Sequence, residues 1–132
     1  MSVDLLEAIS TNGGFTYDPT TDHLYDGSTP QHGFAIAVPG TEYVLGDASL
    51  TREGFAEAFA TVVLNNEYYI ASGCVVGGWY STERGVYMVE ITDIFDIDRE
   101  DAVRIGRLRN QEAIYDLATG EEIPTGGTGD AQ

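Results

Sequence analysis

Six carboxylates lie within twelve residues: Glu90, Asp93, Asp96, Asp98, Glu100 and Asp101. Two chemistries are open to such a run. Hard cations such as Ca²⁺ and Mg²⁺ favour oxygen ligands, and a basic protein surface takes carboxylates as counter-charges. The spacing excludes an EF-hand loop, which needs Gly at its sixth position and Glu at its twelfth. Counted from Asp96, those positions hold Asp101 and Arg107. Other cation geometries stay open at this level. So does the plainer reading of a strand end and helix cap facing solvent, which accounts for Asp98, Glu100 and Asp101 better than for Asp93 and Asp96. The run is taken as an acidic patch for a partner.

Cys74 with His23 or His32 has the composition of a nucleophile and base, where the base raises the thiolate fraction. The surroundings point elsewhere: Cys74 opens an apolar strand, and free Cys is among the most buried residue types. Two His and one Cys fall short of the four ligands at motif spacing that a structural zinc site needs. Asn12-Gly13-Gly14 and Gly77-Gly78 lack the strand, Gly-rich loop and helix fingerprint of a phosphate loop. Turn and close-packing roles suffice for both. No catalytic residue, metal or cofactor is therefore assigned. Trp79, Tyr68 and Tyr69 are of the type that anchors protein interfaces, and a second layer of core is their competing role.

The elements that position these residues follow from periodicity and caps. Val3, Leu6 and Ile9 at helical spacing predict a short first helix, stopped by Asn12-Gly13-Gly14. Phe15 to Tyr17 and His23 to Tyr25 flank a Pro- and Asp-rich turn and read as a hairpin. Gly33 to Val38 reads as a strand, with Glu42 to Leu45 as its expected pairing partner. A long helix is predicted from Thr51 to Ile70. Thr51 is its N-cap, Leu50 and Phe55 form a hydrophobic staple, and Phe55, Phe59, Val62, Val63, Asn66 and Ile70 form one stripe.

Cys74 to Ser81 and Val86 to Phe95 predict a long hairpin. A symmetric loop pairs Tyr80 with Tyr87, Gly78 with Val89 and Val76 with Ile91. Alternation then puts these on one apolar side and Trp79, Met88, Glu90 and Thr92 on the other. A helix over 99–109, capped by Asp98, carries acids at its start and Arg104, Arg107 and Arg109 toward its end, matching the helix dipole. Ala113 to Leu117 and Glu121 to Ile123 close with a short hairpin. Residues 124–132 are Gly- and Thr-rich and expected to be a mobile tail on a single domain spanning 1–123. The order predicts an α+β fold, with a mainly antiparallel sheet built from hairpins and about three helices on one face.

Charge narrows the function classes. The chain has 22 acidic residues against six Arg and no Lys, a formal net charge of −16 over 132 residues. That exceeds the magnitude of roughly 2–8 that solubility asks of a small domain. Apolar residues make up 42% and aromatics 11%, so a core is affordable and the charge sits on a folded surface. Four of the six Arg fall within 98–109; elsewhere two Arg face 19 acidic residues. A general phosphate-binding face is excluded, so nucleic acid is not an expected partner. A single Cys fits an intracellular chain, and the N-terminus has neither a basic start nor a long apolar stretch. A cytoplasmic protein with no membrane contact is expected.

The stretches 12–19, 78–81 with 84–87, and 111–117 with 119–123 resemble a family of small acidic actinobacterial proteins. These are carried on phages, plasmids and integrated elements. The Asn-Gly-Gly-Phe strand start is similar, over a short motif, to one antirestriction family. The resemblance transfers no catalytic residue and implies a mobile-element setting, where small acidic proteins include anti-defence inhibitors and DNA mimics.

Three readings follow. The first is a non-enzymatic acidic module that occupies a basic surface on a protein partner. The second is a structural or oligomeric module, a homodimer for instance, whose acidity is adapted to its host. The third is an enzyme, which would need two carboxylates paired across a cleft.

Overall fold

The computed structural model describes residues 4–25 and 32–128. Side-chain caps set where its helices begin. Asp4 accepts a hydrogen bond from the Glu7 N–H at 3.0 Å and opens α1 (Leu5–Asn12), which Gly13 closes at φ +78°. Leu5 and Ile9 form its buried face. Leu6 is half-buried, and Val3 lies outside the described residues. Thr51 Oγ1 accepts from the Gly54 N–H at 3.0 Å and opens α2 (Arg52–Asn65). Asp98 does the same for the Asp101 N–H at 2.8 Å, opening α4 (Arg99–Leu108).

The helix expected over 51–70 is in fact two. Asn66 leaves helical geometry (φ −130°, ψ 33°), its Nδ2 donates to the Val62 carbonyl at 2.7 Å, and α3 (Glu67–Ala71) starts afresh. An Asn side chain that bonds the backbone locally competes with the helix ladder, and here it wins.

Eight strands form one sheet: β1 (Gly14–Asp18), β2 (His23–Leu24), β3 (Phe34–Ala37), β4 (Tyr43–Leu45), β5 (Val75–Ser81), β6 (Val86–Phe95), β7 (Ala113–Asp116) and β8 (Glu121–Pro124). Their order is β2-β1-β5-β6-β3-β7-β8, with β4 also on β6, and every pairing is antiparallel. The fold is α+β with an antiparallel sheet, as the hairpin pattern predicts. The register of β5 on β6 pairs Tyr80 with Tyr87, Gly78 with Val89 and Val76 with Ile91, as a symmetric loop requires.

The expected pairing of 42–45 with the preceding strand does not form. β3 and β4 instead lie end to end along the same edge of β6, on 92–95 and 87–89 respectively. Pro39 has no N–H to donate, and Gly40 turns at φ +79°. Thr41 bridges the interruption: its hydroxyl accepts from the Ile91 N–H at 3.0 Å and donates to the Val38 carbonyl at 2.8 Å.

The helices cover one face. α1 and α2 pack on Phe15, Tyr17, Val76, Val89 and Ile91, while Ala102 of α4 packs on Phe34, Ile36, Ile114 and Ile123. Close approach depends on two glycines. The Phe15 ring lies where a Cβ of Gly78 would be, and a Cβ on Gly106 of α4 would come 2.6 Å from Ile114.

The opposite face is buried with no helix among the described residues over it, because the sheet curls. Three strand steps separate β5 from β7, roughly 14 Å in a flat sheet. Yet Ser81 Oγ at the end of β5 donates to Glu112 Oε2, just before β7, at 3.0 Å. Residues 124–128, expected to start a mobile tail, are tied down. Thr125 is buried and bonded to the Gln111 carbonyl, Arg107 Nε donates to the Thr125 carbonyl at 2.9 Å, and the Thr128 N–H donates to Asn110 Oδ1 at 2.9 Å. The rest of that segment, 129–132, lies outside the described residues.

Candidate functional site

The curl turns the inner face into a cavity wall. Alternation along β5 and β6 sends Trp79, Glu90 and Thr92 inward. Gly77, the register partner of Glu90, contributes no side chain, and a Cβ there would sit 2.5 Å from Thr92 Oγ1. The space that remains is a cavity of about 50 Å³, reached by Thr16 of β1, Ala35 and Ala37 of β3, Tyr115 of β7 and Glu122 of β8. β1 and β7 would be roughly 19 Å apart in a flat sheet, so only the curl lets one small cavity touch both.

Glu90 is its central polar group. It is 5% exposed, and Oε1 accepts the Trp79 indole N–H at 2.7 Å. Burial pushes its carboxyl up to about 8, against the pull of the indole bond; Glu42 and Glu112 push the same way as burial, and Arg84 opposes. Near neutral pH the carboxyl therefore holds its proton, since burial disfavours the charged form. A second, wider space of about 280 Å³ adjoins at the seam where the curled sheet stays open. It lies between α1, β1 and β2 on one side and the β7–β8 turn on the other, and shares Phe15, Thr16, Gly78 and Tyr115 with the inner cavity.

The acidic run does not act as one surface. Glu90 faces inward. Asp93, half-buried on the helix-covered face, accepts from Cys74 Sγ at 3.0 Å and pairs with Arg109 at 2.9 Å. Asp98 caps α4, and Asp101 pairs with Arg104 at 2.8 Å, with Glu100 at 3.9 Å from the same guanidinium. Asp96 alone is exposed with no such role. Among the described residues no three His, Cys, Asp or Glu side chains converge as a metal set. Burial, with the Asp93 bond second, pushes the Cys74 thiol up to about 12, which leaves it almost wholly protonated and unsuited to attack.

Three exposed acids, Glu53, Glu57 and Glu67, lie beside exposed apolar and aromatic side chains on α2 and α3. Glu53, Ala56, Glu57, Ala60 and Leu64 follow one another along the outer side of α2. Beyond the Asn66 break come Glu67 and Tyr68. Leu64 is 66% and Tyr68 80% exposed, and Tyr69 stands edge-on to Tyr68 at 6.0 Å. Glu53 and Glu57 also border an open groove of about 340 Å³ against the edge strand β4, with Tyr43 and Val44 opposite. No basic side chain among the described residues lines it.

The arginines are already engaged. Arg52 pairs with Asp4, Arg99 with Glu121, Arg104 with Asp101 and Arg109 with Asp93. Arg107 bonds the Thr125 carbonyl, and Arg84 reaches Met88 Sδ at 3.4 Å.

Of the aromatics singled out in the sequence, Tyr68 and Tyr69 are exposed and Trp79 is not a surface anchor but the indole partner of Glu90. Sequence reasoning missed the inner cavity and the β4–α2 groove. The available signal for the first was a Gly opposite a Glu in a well-defined hairpin register. Comparison of the chain with protein-family models, curated proteins and solved structures finds no match.

Proposed function

We propose that this protein is a non-enzymatic acidic binding module that docks through the outer side of α2 and α3 onto a basic surface of a protein partner. The observation that carries the reading is the composition of that face. It pairs Glu53 and Glu57, free of basic neighbours in their groove, with the exposed Leu64, Tyr68 and Tyr69. Carboxylates speed encounter with a basic partner, and aromatic anchors hold it once water is excluded. The Arg side chains pair within the molecule, and 22 acids against six Arg leave the outer potential negative.

An anti-defence inhibitor or DNA mimic acting on a DNA-binding protein, in a phage or other mobile-element setting, is the finer form of this proposal. In that form duplex DNA competes for the partner. The alternative reading, an oligomeric module with a host-adapted surface, places a second copy on the same face. A second copy would bring Glu53, Glu57 and Glu67 toward their own kind, and like charges facing each other oppose association.

Affinity capture at low and high salt tests the proposal, followed by titration of each captured protein against the chain and its Glu53→Arg/Glu57→Arg variant. A basic protein, lost at high salt and bound at least about tenfold more weakly by the variant, is expected. Capture that ignores both salt and the variant refutes it. Sedimentation distinguishes the oligomeric alternative.

A further inference from the structure

We infer that the inner cavity of the curled sheet is a binding site for the ammonium head of a small organic amine, held by the Glu90 carboxylate between the rings of Trp79 and Tyr115. None of these residues belongs to the α2–α3 face, so the site stands or falls apart from the docking proposal.

Three features select this ligand class. First, the polar groups of the wall are of one kind. Glu90 and Glu122 line the cavity, no basic side chain among the described residues does, and Thr16 and Thr92 add hydroxyls. An anion finds no counter-charge there. Second, the wall carries Trp79 and Tyr115, and aromatic faces attract a desolvated cation. Third, the only hydrogen bond to Glu90 among the described residues comes from the Trp79 indole on Oε1, which leaves Oε2 for a ligand.

Size then limits the ligand. About 50 Å³ accommodates a water molecule or two, or one compact head group, and excludes a sugar or a nucleobase. The adjoining seam of about 280 Å³, lined by Ala8, Leu24 and Leu117 among others, has room for a short apolar body. A metal ion is disfavoured, because no set of three ligating side chains converges among the described residues. A primary alkylamine fits both compartments.

Binding is coupled to protons. Glu90 must ionise to hold the ammonium, and its carboxyl is raised to about 8 by burial, with Glu42 and Glu112 adding to the rise and Arg84 and the indole bond opposing it. Affinity therefore climbs with pH until the carboxyl is ionised without help, and binding below that point releases a proton.

The chain carries a single Trp, so its fluorescence reports on this cavity alone. The full chain is titrated with n-butylammonium chloride over roughly pH 6–9, with n-butanol and sodium chloride as controls. A saturable change in Trp79 emission is expected. Its apparent dissociation constant should fall about tenfold per pH unit up to about pH 8 and then level. n-Butanol should give no such response, and Glu90→Gln should abolish it. Tyr115→Leu should weaken it several-fold. The inference is overturned by an absent or non-saturable response at the high-pH end, by an equal response to n-butanol, or by unchanged binding in a folded Glu90→Gln protein. Should Glu90→Gln not fold, the profile of the unmodified chain decides: a constant affinity across the pH range also overturns it.

Discussion

Along β5 and β6, neighbouring residues enter two different interiors. Val76, Val89 and Ile91 meet the helices, in a core closed by shape and apolar contact. Gly77, Glu90 and Thr92, one position away, meet the far strands of their own sheet across a small cavity. Val76, Val89, Ile91, Glu90 and Thr92 are all buried, yet only the second group shares its interior with a buried carboxyl, two threonines and an indole N–H. Under α1 and α2 the helix-covered side is apolar, and its one carboxylate on β6, Asp93, lies half-buried toward the end of α4, where Arg109 and Cys74 bond it. The curled side tolerates polar groups because the concave wall brings strands from opposite ends of the sheet within bonding reach of each other.

Four substitutions probe that contrast. Ile91→Ala, at a fully buried position under α2, should cost about 2–5 kcal/mol, read from chemical denaturation, because the packed helices close the void poorly. Val76→Thr, an exchange of one methyl for a hydroxyl, should cost about 1–3 kcal/mol on the same face, where the surroundings are apolar.

Glu90→Gln should change the shape of the stability curve with pH. The folded Glu90 carboxyl titrates near 8, above its unfolded value of 4.5. Its contribution is thus fully present below the unfolded value and lost as pH rises through the folded one. Unfolding free energy should fall by about 1 kcal/mol per pH unit across that window in the unmodified chain, and markedly less in the variant. Melting temperatures measured across the window check this. Thr92→Val, the mirror of the second exchange and at a neighbouring position in the register, should cost less than about 1 kcal/mol, since the cavity side of Thr92 asks for no particular polarity. Equal costs for Val76→Thr and Thr92→Val would erase the distinction between the two interiors.

Local structure was readable where local chemistry decides it. Thr51 and Asp98 carry their caps in the sequence, and the symmetric loop at 82–85 dictates the β5–β6 register. The helix break at Asn66 was hidden because the apolar stripe continues through it, and only the side-chain bond to the Val62 carbonyl stops the ladder. The pairing of β4 with β6 was hidden for another reason. A Pro-Gly step looks like a hairpin turn, whereas here Thr41 splices two short strands onto one long neighbour. The candidate sites were less legible still. Alternation correctly separated Trp79, Met88, Glu90 and Thr92 from the apolar side, but a polar stripe on a strand reads the same whether it faces solvent or a concave interior. Curl is a property of the whole sheet, and contacts such as Ser81 with Glu112 join residues 31 apart. On α2 and α3 the sequence singled out Tyr68 and Tyr69 but not Glu53 or Glu57, whose place on the same side emerged only with the orientation of the helices.

The bond from Cys74 to Asp93, and from Asp93 on to Arg109, also supplies a clock. The chain has one thiol, buried and held protonated where β5 begins, and the same carboxylate anchors the end of α4. A thiol reagent can modify it only after that corner opens, so the labelling rate measures how often the corner lets go. If modification keeps pace with global unfolding across denaturant, the corner belongs to the last part of the molecule to melt. If it runs ahead, the end of α4 detaches on its own, and the lifetime of that detached form can be read from a single sulfur.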